Sequence, residues 1–344
     1  MRAVVGLPCQ IEAIRKVETF KERLNVDTKL GLVIGLFCRE NWMFTCFKAL
    51  LEDFGERPEN FDRFDIKKGK LLCYRGEEVL EIPLKYGKPY VRIGCRICPD
   101  FSAELADVSV GSVGSERGWS TVIIRSERGM EIFTNAVRDG YLEVGEVNLK
   151  PLRKLCRDKR ESALREIEER RKRGLKVLYE DLSVEEILKR SEGKVFKDLL
   201  DEVVEQGACT SCGACELVCD FVKVDSFPSI KTCQMRGLCY LACPRTSLPK
   251  SEIERSLFKG KRDEDFGYYL SVVSARSKIG IRGQDGGVVT TLLVYALEKG
   301  IIDSAVLVSH ENWRPIVREC KSRSEIISSS GSVYSYATLL PYLG

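Results

Sequence analysis

The chain has 344 residues, 44% hydrophobic and 31% charged, which suits roughly two or three folded units with real cores and excludes a disordered chain. A net charge of +4 and a single histidine argue against a nucleic-acid-binding surface and against histidine-based metal or acid–base chemistry. Fifteen cysteines in so long and charged a chain point to metal ligands in a reducing compartment rather than to a disulfide scaffold.

Residues 1–150 are expected to be α/β. "RAVVGL" and "KLGLVIGLF" are apolar runs suited to buried strands. Met1 leads straight into the first of them, so no signal peptide is expected, and no apolar run approaches the roughly 20 residues of a bilayer span. "MFTCFKALLEDFG" reads as a helix ending at Gly55, and "KGKLLCY…VLEIPL" as a hairpin. "LADVSVGSVG" and "STVIIRS" read as strands, and "RGMEIFTNAVRDG" as a helix stopped by Gly140.

Residues 151–206 read as a charged helical connector. "LRKLCRDKRESALREIEERRKRG" mixes both signs, as a solvated helix laced with i,i+4 pairs would. Ser183 and Glu186 form a capping box for "VEEILKR", and "VFKDLLDEVVEQG" is a second amphipathic helix. Residues 207–264 are cysteine-rich and need ligands to organise them. Residues 265–344 return to α/β, with strand "YYLSVVSAR", helix "GGVVTTLLVYALEKG" and strand "IDSAVLVS".

"CTSCGACELVC" places Cys209, Cys212, Cys215 and Cys219 at C-x2-C-x2-C-x3-C. Three thiolates at this spacing wrap one corner of a [4Fe–4S] cubane, and in two-cluster ferredoxins the fourth cysteine serves the other cluster. A zinc knuckle would use two CxxC pairs or a histidine instead. In the two-cluster pattern, Cys243 of "TCQMRGLCYLACPR" completes the first site, and Cys233, Cys239 and Cys219 form a second. Arg236 takes the seat of that site's missing cysteine and cannot deprotonate to become a ligand. The second site then holds a [3Fe–4S] cluster, a [4Fe–4S] cluster with an outside ligand, or nothing. Elsewhere only Cys95-x2-Cys98 stands out by spacing. Cys9 and Cys38 each follow a strand-like run, and read alone they are buried strand-end cysteines. Strand ends at one edge of a parallel sheet are nevertheless where α/β proteins collect functional groups.

Several stretches together resemble the beta subunits of coenzyme F420-reducing hydrogenase and their relatives in F420H2 dehydrogenase and formate dehydrogenase. They are "VVGLPCQIEAIRK", "IGLFCREN", "FDIKKGK", "GCRICPDFSAELADVSVGSVGS", "GWSTVIIR", "QDGGVVTTLLVYALEKGIID" and "SVYSY". The resemblance implies an α/β flavoprotein core that binds FAD and coenzyme F420, with an inserted α+β ferredoxin-like iron–sulfur domain at 207–264. It also implies that Cys9, Cys38, Cys95 and Cys98 hold a [4Fe–4S] cluster beside the flavin. Cys46, Cys73, Cys156 and Cys320 receive no role. The order of the parts departs from the family. Residues 1–150 resemble the C-terminal half of the core and 265–344 the N-terminal half, as in a circular permutation or two partial genes joined head to tail. A helix and strand of the family are missing at the cut, and halves so arranged could pair between chains. Val333 also stands where lysine is expected.

The resemblance assigns Gln284, Asp285, Gly286, Gly287 and Thr290 to the flavin region. Gly-rich "GQDGGVVT" opens a helix whose N-terminus suits a phosphate, although an ordinary tight turn has the same spacing. Gly111, Ser112, Gly114, Ser115, Trp119, Ser120 and Thr121 form a second cofactor loop, with a plain glycine-rich hairpin as its alternative. Lys68, Lys70, Arg276 and Arg39 are candidate grips for the phosphate and glutamate tail of F420. No GxGxxG fingerprint for NAD is present in "IGIRGQDGG".

The expected protein is a cytoplasmic redox subunit, or one held peripherally at the inner membrane face by its partners. It moves a hydride between F420 and FAD and single electrons through clusters to a partner complex, with flavin as the two-to-one-electron converter. F420H2 dehydrogenase input is the leading role. A hydrogenase or formate dehydrogenase beta subunit is the near alternative, and a flavin-free ferredoxin-like adaptor the distant one.

Overall fold

The computed structural model describes residues 1–281 and 283–344. Its centre is an eight-stranded mixed sheet. In spatial order the strands are Arg314–Cys320, Ser304–Glu311, Arg2–Gly6, Leu30–Leu36, Val108–Gly111, Ser120–Ile124, Ser271–Ser277 and Leu142–Gly145. Ser304–Glu311, Arg2–Gly6, Leu30–Leu36 and Val108–Gly111 run parallel, and the other pairings are antiparallel.

The continuous apolar runs of the parallel strands are explained by burial on both faces. Ala3, Val5, Leu32 and Ile34 face the helices Glu127–Arg138 and Val288–Glu298. Val4, Val33 and Val306 face the opposite layer, built on helix Pro8–Thr19 with Ile253, Leu339 and Leu340. The predicted hairpin is present as Lys70–Arg75 and Glu78–Pro83, and Arg63–Lys67 extends it to a separate three-stranded sheet.

The last segment of the chain supplies three strands of the main sheet. Ser304–Glu311 pairs with Arg2–Gly6, and Ser271–Ser277 lies between Ser120–Ile124 and Leu142–Gly145. The two α/β segments therefore complete one sheet within this chain. The ends meet beside this seam. The Met1 ammonium pairs with the Asp303 carboxylate, and the Arg2 guanidinium donates to the carbonyls of Leu343 (2.5 Å) and Tyr342 (3.3 Å).

The charged helix spans Leu149–Lys172 and is not simply solvated. Leu152, Cys156, Lys159, Ala163, Ile167 and Arg170 form a buried stripe at helical spacing. Its cations reach outward as well: Arg153 pairs with Asp263 at 2.7 Å, Arg157 with Asp265 at 2.9 Å and Arg160 with buried Glu104 at 3.0 Å. The i,i+4 pairs expected from the sequence occur nearer its end, as in Glu166–Arg170 and Glu168–Lys172. The second connector helix begins as Phe196–Leu199 and widens to a π-helical turn over Leu200–Val204.

Arg125 joins the segments from inside. It is fully buried and donates to the Ser109 hydroxyl (2.8 Å), the Phe266 and Tyr268 carbonyls (both 2.7 Å) and Ser102. Arg125→Met is expected to destabilise the fold by about 3 kcal/mol or more, because each carbonyl left unpaired in the interior costs roughly 1–3 kcal/mol. Guanidinium unfolding of the two proteins measures the difference.

Candidate functional site

The C-terminal edge of the parallel strands gathers most of the sequence-predicted site. Arg2–Gly6 runs into Cys9 at the first turn of helix Pro8–Thr19, and Leu30–Leu36 runs into Cys38. The turn Ile93–Cys95 brings Cys95 and Cys98 to the same place. Cys9, Cys38, Cys95 and Cys98 line one pocket, together with Asn41, Arg92, Lys159 and Thr210. Burial pushes the Cys9 and Cys98 thiols up and Cys38 to about 12, while Lys159 pulls Cys38 and Cys98 the other way. Protonated thiols are poor ligands, so a metal must displace the proton to bind.

Lys159 comes from the charged helix. It is buried and donates to the Cys38 carbonyl at 2.5 Å. Nothing in the local sequence distinguishes it from the other cations of that helix. Asn41 Oδ1 and Thr210 Oγ1, both lining the pocket, are buried without hydrogen-bond partners.

A second pocket lies against the first and shares Thr210 with it. It is lined by Cys209, Cys212, Cys215 and Cys243, the four thiols that the ferredoxin spacing groups together, with Thr210 and Arg245. Burial pushes Cys212 up to about 11 and raises Cys209, Cys215 and Cys243. Lys16, buried on helix Pro8–Thr19, donates to the Cys243 carbonyl (2.6 Å) and the Thr246 hydroxyl (3.0 Å), and burial lowers its ammonium to about 7. Among the described residues, no group of three or more His, Cys, Asp or Glu is arranged to hold a single metal ion. Four thiols lining one pocket give the donor set that an iron–sulfur core takes. The soft donor set and the unpaired polar atoms fit such a group.

Cys219 and Cys233 lie near Cys239, whose thiol burial lifts to about 12 with further repulsion from both. Cys233 and Arg236 are exposed. The third group is thus assembled but open to solvent. Arg236→Cys is expected to add iron per chain if that seat is merely vacant. Iron analysis showing no gain would remove this group as a cluster cradle.

The glycine-rich loops meet at the same edge. The Gly286 amide donates to the Ser120 hydroxyl at 3.0 Å. A Cβ at Gly286 would lie 2.5 Å from the Ala275 carbonyl oxygen and 2.8 Å from the Ser120 nitrogen, so only glycine permits this approach. Ser115 bonds Thr121 and Ser274, each at 2.7 Å, and Gln284 donates to the Phe64 carbonyl at 3.0 Å. Asp285 lies 4.0 Å from Lys67. Gly287 and Thr290 open the Val288–Glu298 helix, and Gly111, Ser112 and Gly114 continue from Val108–Gly111 toward Ser115. Arg276 stacks over Trp119 at 4.6 Å and pairs with Glu143 at 2.9 Å. Of the other proposed anion grips, Lys70 is paired with Glu81, Lys68 sits exposed in the turn between Arg63–Lys67 and Lys70–Arg75, and Arg39 Nη1 is buried without a hydrogen-bond partner. The cysteines without an assigned role stay in packing positions: Cys73 in the core of the three-stranded sheet with Cys46 packed against it, Cys156 on the buried stripe of the charged helix and Cys320 on the edge strand.

Residues 2–150 match the family model for the C terminus of the coenzyme F420 hydrogenase/dehydrogenase beta subunit, and residues 270–343 match the model for the N terminus of the same family. The chain is 40% identical over 182 residues to coenzyme F420 hydrogenase subunit beta of Methanothermobacter thermautotrophicus, covering 51% of this chain and 65% of that one. It is 42% identical over 207 residues to the coenzyme F420-dependent sulfite reductase of Methanocaldococcus jannaschii (56% of this chain, 32% of that one). It is 38% identical over 140 residues to an F(420)H(2) dehydrogenase subunit of Methanosarcina mazei (40% and 39%). The chain thus spans from about a third to two thirds of the length of these relatives. A solved F420-reducing [NiFe] hydrogenase complex from Methanosarcina barkeri aligns at 38% identity over 49% of this chain and 60% of its own, with a TM-score of 0.47. The chain belongs to the family of coenzyme F420 hydrogenase/dehydrogenase beta subunits, with the family's C-terminal domain placed before its N-terminal domain.

Proposed function

We propose that this protein is the F420-handling subunit of a redox complex. It takes a hydride from F420H2 onto FAD and passes single electrons through two [4Fe–4S] clusters to a partner, or runs in reverse. The observation that carries this reading is the convergence of Cys9, Cys38, Cys95 and Cys98 on one pocket, at the sheet edge where the two glycine-rich loops also meet. Bound FAD would supply the conversion between a two-electron donor and one-electron acceptors. The loops around Ser120 and Gly286 would hold it, and Cys209, Cys212, Cys215 and Cys243 would carry the next cluster outward.

Relatives of this chain bear the names of hydrogenase and dehydrogenase subunits and of a sulfite reductase. What varies among those names is the reaction joined to F420, so the partner complex is what would set the final acceptor here. Input to an F420H2 dehydrogenase remains our first choice, with a hydrogenase or formate dehydrogenase complex as the near alternative. No described helix is long and apolar enough to cross a membrane.

Protein purified without oxygen should show flavin absorbance and bound iron and sulfide, and should reduce viologen dyes with F420H2. Absence of flavin and of F420H2 oxidation after anaerobic reconstitution would overturn the enzyme reading and leave a flavin-free electron-transfer adaptor.

A further inference from the structure

Arg245 directly follows the Cys243-Pro244 pair and has 1% of its surface exposed. None of its Nε, Nη1 and Nη2 atoms has a hydrogen-bond partner. Its guanidinium lies over the Tyr179 ring at 4.1 Å, and Nη1 lies 3.4 Å from Glu12 Oε2. Tyr179 donates its hydroxyl proton to Glu12 Oε1, and Glu12 Oε2 has no hydrogen bond. An arginine cannot shed its charge. Burying it beside one poorly hydrogen-bonded carboxylate is unfavourable unless further negative charge arrives.

The position of Arg245 shows where that charge would come from. It lines the Cys209–Cys243 pocket. Its carboxylate partner Glu12 lies one turn from Cys9 on helix Pro8–Thr19, which sets Arg245 beside the first group as well. The neighbouring lysines are more local. Lys159 lines the first pocket and donates to the Cys38 carbonyl, and Lys16 donates to the Cys243 carbonyl of the second group. Arg92 also faces both groups, but its Nη2 is occupied by the Thr210 carbonyl and its plane lies over Tyr336 at 3.5 Å.

We propose that Arg245 is a positioning residue for electron transfer, a buried cation without a hydrogen bond of its own that is shared by both cysteine groups and holds the two bound clusters at higher potentials than they would otherwise have. This rests on reading the two groups as cluster ligands. Reduction adds one negative charge to a cluster, and a nearby cation in a low-dielectric interior stabilises the reduced form. When an electron moves from the flavin-side cluster to the next, no bond forms or breaks and no proton is required. The same cation serves the donor before transfer and the acceptor after it, so the charge shift demands little rearrangement of the protein.

The test is an EPR-monitored redox titration of the anaerobically reconstituted full chain. Arg245→Gln should move both cluster midpoints to lower potential at unchanged iron per chain. Arg245→Lys should recover most of the shift, and Lys159→Gln should move the flavin-side cluster alone. Glu12→Gln approaches the same pair from the other side. It leaves the cation uncompensated and should raise both midpoints, so the inference stays testable if Arg245→Gln fails to fold. Iron-loaded Arg245→Gln or Glu12→Gln protein with unmoved midpoints, or with only one moved, would overturn the inference while leaving the cluster reading intact. Wild-type protein that takes up no iron would overturn the cluster reading itself.

Discussion

Cys98→Ala is expected to lose about four irons per chain, the content of one [4Fe–4S] cluster. It should also cut F420H2-driven viologen reduction by more than the roughly 100-fold typical of losing an outer-shell partner. Alanine is the informative replacement because a serine oxygen could still ligate iron. Cys98 is 5% exposed and shares its pocket with Cys9, Cys38 and Cys95, so no solvent-facing group stands ready to replace it. Iron held by Cys209, Cys212, Cys215 and Cys243 should remain, because those thiols line a separate pocket. On the proposed function, bleaching of a bound flavin by F420H2 should also survive, since the glycine-rich loops sit on other strands. Cys73→Ala is the matched control. Cys73 is equally buried, in the core of the three-stranded sheet, so its loss should lower stability by about 1 kcal/mol through a small cavity and leave iron unchanged. Iron analysis with EPR separates the two results. Full iron in Cys98→Ala would remove this group as a cluster site.

Gly94→Val should separate the two cysteine groups without touching a ligand. A Cβ at Gly94 would lie 2.4 Å from the Cys209 carbonyl oxygen and 3.1 Å from its carbon. Only glycine lets the Ile93–Cys95 turn rest directly on the Cys209 backbone, where the Arg92 guanidinium also donates to the Thr210 carbonyl. A valine must push two backbones apart, at a cost of about 1–3 kcal/mol in stability. All eight thiols of the two pockets are retained, so iron per chain should match wild type. Electron tunnelling falls steeply with distance, so on the proposed function onward reduction of the second cluster should slow while reduction of the first by F420H2 continues. Freeze-quenched EPR resolves the two steps. Wild-type kinetics in a variant with full iron would mean that electrons do not cross at this contact.

Which features were legible in the sequence follows from how locally each one is encoded. The apolar runs at Arg2–Gly6, Leu30–Leu36 and Ser304–Glu311 marked buried parallel strands because both faces of each are covered. The edge strand Arg314–Cys320 gave no such signal. It carries a proline and several charges, and it pairs on one side only. The spacing of Cys209, Cys212 and Cys215 already determines a loop that can surround one pocket, and the Cys243-Pro244 pair marked their fourth partner. Cys9 and Cys38 carried no local sign of joining Cys95 and Cys98; only the family resemblance suggested it.

The sequence by itself therefore determined the strand faces, the helix caps and the thiols that lie within a turn or two of one another, because these depend on neighbours along the chain. Tertiary structure alone decided how the permuted segments close into one sheet, which backbones touch at Gly94 and Gly286, and which cations are buried with the thiols. Lys159, Arg92, Lys16 and Arg245 look like ordinary surface charges in their local contexts. Their partners are set by sheet register and burial across more than a hundred residues of chain. Only in the folded interior, where water no longer screens them, do those charges become strong enough to act on a bound cluster.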